Sequence, residues 1–262
     1  MTTLDISTAH LAISYLLLII PLGVILWLRI PLFGEALLAV IRMTLQLLFV
    51  GFYLQFVFTL NSLWVTAAWV LIMVLVADVS IAQGCHLHLK RLAGGLFVAL
   101  LVGTLVPLLF FVFFILQREA ALQAQYLVPI CGMILGNCLR ADIIGLQSFY
   151  TGLRKKEKLY QLELSQGASQ SEALFPFMRE ACRAALAPTI ATISTIGLVA
   201  LPGMMTGVIL GGGNPMTAIK YQIAIMLAIF SGTALAVVLA IRLTIGRNFN
   251  AFGMLDRGLF KS

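Results

Sequence analysis

The chain has 262 residues, 61% of them hydrophobic and 10% charged, with a net charge of +7 and a mean hydropathy of +1.04. Soluble proteins hold about 45–50% apolar and about 25% charged residues, and an apolar excess of this size does not fit inside one soluble core. A soluble enzyme, a disordered tail and a secreted disulfide scaffold are excluded, and the chain reads as an all-α, polytopic integral membrane protein of a cell (inner or plasma) membrane.

A membrane crossing needs about 20 mostly apolar residues, and seven stretches qualify. The first, Leu11–Leu28, has no basic region ahead of it and only Asp5 as a charge, so it is expected to be a retained helix rather than a signal peptide. The second, Leu37–Leu60, carries Arg42 and Gln46, which share a face at i,i+4. Arg42 either snorkels to the inner interface or lines a pathway. The third, Leu63–Ala82, carries Asp78 near its inner end. Its carboxylate either pairs with Arg42 or ligates a cation in transit. Cys85-His86-x-His88 follows in a loop and lacks the four-ligand spacing of a zinc site. The fourth stretch is Leu92–Leu116 and the fifth Tyr126–Phe149.

The fifth stretch holds Asn137 near its centre, with Arg140 and Asp142 one turn later. Intramembrane polar groups are costly and tend to face the bundle interior. Asn137 either bonds a neighbouring helix or offers an oxygen to a substrate. Cys131 and Cys138 lie seven apart on one helix face and read as small hydrophobes. The four cysteines show no disulfide spacing.

Residues 150–186 form the one large polar segment, expected to be two helices joined by a tight turn. The first covers Arg154–Gln166, with Gly167 placed to end it in the left-handed region. Ser169-Gln170-Ser171-Glu172 is a capping box that starts the second. That helix is expected to show an apolar face of Leu174, Phe175, Met178 and Ala181. Such an elbow suits docking to a cytoplasmic ATPase, and equally an amphipathic helix resting on lipid headgroups.

The sixth stretch, Pro188–Leu210, is interrupted at Pro202-Gly203 and followed by Gly211–Gly213. It is two half-helices, a re-entrant turn or a proline kink, and broken backbone at membrane depth needs protein or a water-filled cavity beside it. The seventh is Tyr221–Leu243. Gly132-x-x-x-Gly136 and Gly203-x-x-x-Gly207-x-x-x-Gly211 allow close helix approach, inside one subunit or at a dimer seam. Met133, Met204 and Met205 are thioethers that suit soft metals or fill apolar gaps. They are candidates for a metal set whose identity stays open, beside transient metal contact at Cys85-His86-x-His88.

Basic residues set the orientation. With the N-terminus outside and the C-terminus cytoplasmic, inner segments hold 13 of the 17 Lys and Arg, and Arg118 and Lys220 fall outside. This positive-inside bias supports an odd number of crossings and explains the net charge without nucleic acid.

Leu164-Ser165-Gln166-Gly167-Ala168-Ser169, with Glu163 before it and Phe175 after, resembles the coupling loop of ABC-transporter permeases, whose amphipathic stretch ends near a proline, here Pro188. Further segments resemble the FetB (YbbM) permease family, whose plant relatives include the aluminium-tolerance half-transporters. They are Arg42-x-x-x-Gln46, Pro129–Asn137, Arg183–Thr189, Gly197–Gly207 with its Leu-Pro-Gly-Met-Met-x-Gly run, and Ala218–Gln222. The resemblance implies a single transmembrane permease domain over 1–262 that works as a homodimer with a separately encoded ATP-binding subunit, in iron export. No G-x-x-x-x-G-K-[ST] occurs, so no cofactor is expected in this chain, and ATP and Mg are expected on the partner. Under this reading the chain does no chemistry. Glu163, Gly167, Ala168, Ser169 and Glu172 couple it to the ATPase, while Arg42, Gln46, Asp78, Asn137, Met204 and Met205 line the pathway. An ion-coupled secondary transporter is the alternative.

Overall fold

In a membrane no water satisfies the peptide groups, so a chain this apolar closes its hydrogen bonds inside helices. The computed structural model describes residues 7–60, 62–85, 88–116, 123–250, 253–255 and 258. Asp5, His86, Arg118, Arg257 and Lys261, with the side chains of Lys90 and Arg91, lie outside the described residues. Helix α1 (Thr8–Ser14), a 3-10 turn (Tyr15–Leu18) and α2 (Ile19–Trp27) make one apolar rod. Then come α3 (Phe33–Leu60), α4 (Leu63–Gly84) and α5 (Leu89–Phe114). The rest is α6 (Ala124–Lys155), α7 (Glu157–Ser165), α8 (Gln170–Thr195), α9 (Gly203–Leu210) and α10 (Pro215–Asn248). Among the described residues, six helical segments are long and apolar enough to cross a membrane.

The seventh crossing is the broken one. Gly84 of α4 meets Ile143 of α6, and Gly132 of α6 meets Met73 of α4, so these helices run parallel. Gly232 of α10 meets Ile134 and Cys138 of α6, and Gly145 of α6 meets Val237, so α10 is parallel to them too. With α6 and α10 parallel, the chain between them must return along the bundle. Helix α8 does this, lying antiparallel to α6, with Gly152 against Phe177 and Gly145 against Ala185. It does not stop at Pro188 as the resemblance implies, but continues to Thr195. Residues 196–202 are non-helical, with Gly197 at φ +84° and a bridge from Ile196 to Ala200, before α9 restarts. Two half-helices is therefore the arrangement, of the three the sequence allows.

Helices α4, α5, α6 and α10 hold the core. The tightest seam joins α5 to α10, where a Cβ on Gly232 would sit 2.6 Å from the Gly103 carbonyl oxygen. Of the two G-x-x-x-G runs, Gly132 approaches Met73 of α4, while the others make no close helix contact within this chain. A Cβ on Gly136, Gly203 or Gly207 would meet nothing within 4 Å. The first two spans stand off the core. Val57 is the only buried residue of α3, and Tyr53 stacks on Trp69 of α4 at 4.0 Å between ring centroids.

The elbow forms as expected, with shifted bounds. Helix α6 runs past Phe149 to Lys155 and breaks at Lys156, so the elbow's first helix is α7, Glu157–Ser165, instead of Arg154–Gln166. Gly167 lies at φ +96°. The Ala168 N–H donates to Glu163 O and the Gly167 N–H to Leu164 O, both at 3.1 Å, which is a Schellman ending. Ser169 and Glu172 close a reciprocal capping box. The buried stripe of α8 is Ala173, Leu174, Phe177, Ala181 and Ala185. Phe175, expected on that face, is 57% exposed, and Met178 is half-buried. The hub of the elbow is Tyr160, whose hydroxyl donates to Gly253 O at 2.6 Å and whose ring meets Phe177 and Phe249 edge-on.

Candidate functional site

Where α8 breaks, the bundle opens a cavity of about 560 Å³ between α6, α8, α9 and α10. Helix α6 contributes Met133, Asn137 and Arg140, spaced three and four apart so that they share one face. Helix α8 adds Thr192 and Thr195, α9 adds Met204, and α10 adds Gln222. The non-helical turn supplies Ile196, Ala200 and Pro202.

The polar groups here are arranged as acceptors. Asn137 Nδ2 donates to the Met133 carbonyl at 2.7 Å, which occupies the amide nitrogen and leaves Oδ1 for the cavity. Gln222 is 7% exposed and its Oε1 has no hydrogen-bond partner. The hydroxyls of Thr192 and Thr195 spend their protons on the carbonyls of Pro188 and Ala191, both at 3.0 Å, so their lone pairs face outward. Met133 and Met204 add polarizable sulfurs. Arg140 is the one charged side chain in the lining, and no carboxylate or histidine joins it. Among the described residues no group of three or more His, Cys, Asp or Glu gathers to hold a metal. The cavity therefore offers neutral oxygen and sulfur donors with one cation at its edge.

Of the residues expected in a pathway, the structure brings together Asn137 and Met204, with Met133 beside them. Met205 points to a neighbouring apolar recess lined by Ile193, Leu201 and Met226, which shares Gln222 with the cavity. Arg42 and Gln46 are exposed on α3, away from this lining. Asp78 is buried on α4 at 4% exposure with Oδ1 unpartnered, and among the described residues it forms no ion pair with Arg42. The residues expected to couple to an ATPase cluster at the elbow: Glu163 in the last turn of α7, Gly167, Ala168 and Ser169 in the connecting turn, and Glu172 in the first turn of α8. Hydrogen bonds from the Ser169 hydroxyl and backbone N–H hold the Glu172 carboxyl below the usual carboxylate range. Gln222, Thr192 and Thr195 are additions. Gln222 carried a signal, an amide at the edge of an otherwise apolar stretch. The threonines did not, since their role depends on where α8 ends.

The sequence profile of the family described as "Uncharacterised protein family (UPF0014)" matches residues 8–249. The "UPF0014 membrane protein slr1647" of Synechocystis is 33% identical, over 85% of this chain and 86% of its own length. The "Probable iron export permease protein FetB" of Escherichia coli is 31% identical, over 96% of this chain and 95% of its own. The "Protein ALUMINUM SENSITIVE 3" of Arabidopsis thaliana is 33% identical, over 74% of this chain and 69% of its own. No solved structure matches the chain.

Proposed function

The chain belongs to the UPF0014 family of multi-pass membrane proteins, and from that premise we propose that it is the transmembrane subunit of an ABC transporter that exports a metal cation. Iron is the cargo named for the similar Escherichia coli permease. A separate ATP-binding subunit hydrolyses ATP on Mg, and this chain converts the movement into alternating access. The observation that carries the reading is the path of α8. It starts at the capped elbow with Ser169 and runs without a break to Thr192 and Thr195 in the cavity wall. A helix of 26 residues is about 39 Å long, and a push on its capped end reaches the cavity without passing through a loop. Leu159, Leu162 and Phe175 are exposed on the elbow and give the ATPase an apolar seat.

The donor set supports a cargo that must leave again. Neutral amide, hydroxyl and thioether groups hold a cation less tightly than a carboxylate cage, and transport requires binding weak enough to reverse. A second copy of this chain closes the site in this reading. Arg140 is exposed near the middle of α6, and an arginine facing lipid at that depth costs about 2.5 kcal/mol or more. A partner copy or a water-filled pathway, not hydrocarbon, covers the open side.

Affinity purification from the native membrane, followed by mass spectrometry, tests the class. A stoichiometric ATP-binding subunit is expected, together with iron efflux from reconstituted vesicles that needs ATP. Efflux from this chain alone, driven by an ion gradient, would instead identify an ion-coupled secondary transporter.

A further inference from the structure

The cavity takes only part of the buried polar surface. On the other side of α6 lies Asp142, with 0% exposure. Neither of its carboxylate oxygens has a hydrogen-bond partner, and it is absent from the cavity lining. Among the described residues its surroundings supply no charge. The titratable groups that face it are the thiols of Cys85 at the end of α4 and Cys138 on α6, both buried. The Cys85 thiol donates elsewhere, to the Ile143 carbonyl at 3.6 Å. No charged side chain from α4, α5, α6 or α10 offsets it among the described residues.

Other buried polar atoms without partners lie elsewhere in the same core. Asp78 Oδ1, Thr104 Oγ1 and Asn248 Oδ1 are all buried and unpartnered. Since Gly84 is level with Ile143 and the helices are parallel, Asp78 stands five residues back along α4 from the level of Asp142, about 7.5 Å along the axis. Toward the C-terminal ends of α6 and α10 the polar residues continue as Tyr150, Thr244 and Asn248. There Asn248 Nδ2 donates to the Tyr150 hydroxyl at 3.1 Å and to the Thr244 carbonyl at 2.8 Å. An ionised carboxylate with no donor is untenable in such an interior. Two things can neutralise it, a proton or a metal cation. A cation needs several ligands converging, and among the described residues no group of three or more His, Cys, Asp or Glu gathers here. One proton neutralises the group completely.

We propose that Asp142 is a proton-binding site inside the bundle, separate from the cargo cavity, and that its carboxylic acid exchanges its proton with water along the line of Tyr150, Thr244 and Asn248. The O–H proton passes to a water molecule, leaves a transient carboxylate, and is replaced from the same line. Helix α6 carries Asn137 on one face and Asp142 on another, so movement of the cavity wall moves the acid as well. The site does not depend on the ATP-binding subunit.

The test is infrared spectroscopy of the full chain in lipid vesicles at neutral pH, with aspartate carrying carbon-13 in its side-chain carboxyl. The chain has four aspartates, Asp5, Asp78, Asp142 and Asp256. In the Asp78→Asn background, which removes the other buried aspartate, a protonated carboxylic-acid carbonyl band is expected, moved by the label, lost when Asp142→Asn is added, and shifted in D2O. Absence of the band from the wild-type chain or from the Asp78→Asn chain overturns the proposal. So does a band that survives the added Asp142→Asn, or one that never shifts in D2O, which would mark a sealed structural acid.

Discussion

At the residue scale, two glycines have different jobs and fail differently. Gly167 sits at φ +96° with nothing within 4 Å of a built Cβ. Space is free there and only the backbone objects, at roughly 1–2 kcal/mol for a left-handed L-residue. Gly167→Val is expected to leave membrane insertion intact while the elbow frays and co-purification of the ATPase falls. Gly232 has ordinary backbone and no space, with the Gly103 carbonyl at 2.6 Å from a built Cβ. Gly232→Ala must separate α5 from α10, an overpacking cost of roughly 1–3 kcal/mol, read as a lower Tm in detergent. A sequence shows a glycine that ends a helix, because the signal is local. It does not show which of 22 glycines lies at a crossing, because that requires the partner helix. Of the G-x-x-x-G glycines, Gly132 approaches α4, while the tightest backbone contact within the chain formed at Gly103 and Gly232, outside both runs.

At the element scale, the capping box makes the elbow sensitive to acid. The Glu172 carboxyl is held below its ordinary value by Ser169, so its contribution is full above the ordinary carboxylate range. It is lost as pH falls through the lowered value. Protection from hydrogen exchange at the start of α8 is expected to hold at neutral pH and to fall as pH drops through the lowered Glu172 value, while Glu172→Gln is expected to be less protected at neutral pH and to converge with the wild type in acid. Most of this element was legible beforehand. Gly167, Ser169 and Glu172 act through neighbours three to five residues away, and such chemistry survives without knowledge of the fold. The face of α8 was legible only in part. Ala173, Phe177, Ala181 and Ala185 recur at helical spacing, but Phe175 is as apolar as Phe177, and only the position of α6 decides between them. Pro188 looked like a stop and is not, since α8 tolerates two prolines along its length. The cavity was the least legible part. Asn137 and Met204 are 67 residues apart, and nothing in either segment points to Gln222 on a third helix.

At the scale of the whole molecule, the open side of the cavity predicts the assembly. If a second copy covers Arg140, Thr192 and Thr195, then Thr195→Cys is expected to cross-link between copies under mild oxidation in native membranes. A cysteine at Phe113, 74% exposed on α5, is expected not to. Retention of Thr195→Cys as a monomer in the membrane would remove the dimer from the reading. The seam at Gly103 and Gly232 bears on how such an assembly works. Two backbones in direct contact leave no slack, so α5 and α10 behave as a doorpost. In the proposed transport cycle the leaf is α8 with α9, pivoting at the unwound residues 196–202 and pushed from the elbow. A disulfide engineered to bolt α8 to α6 is therefore expected to stop ATP-driven efflux, and reduction to restore it, whereas one joining α5 to α10 leaves the door free to swing.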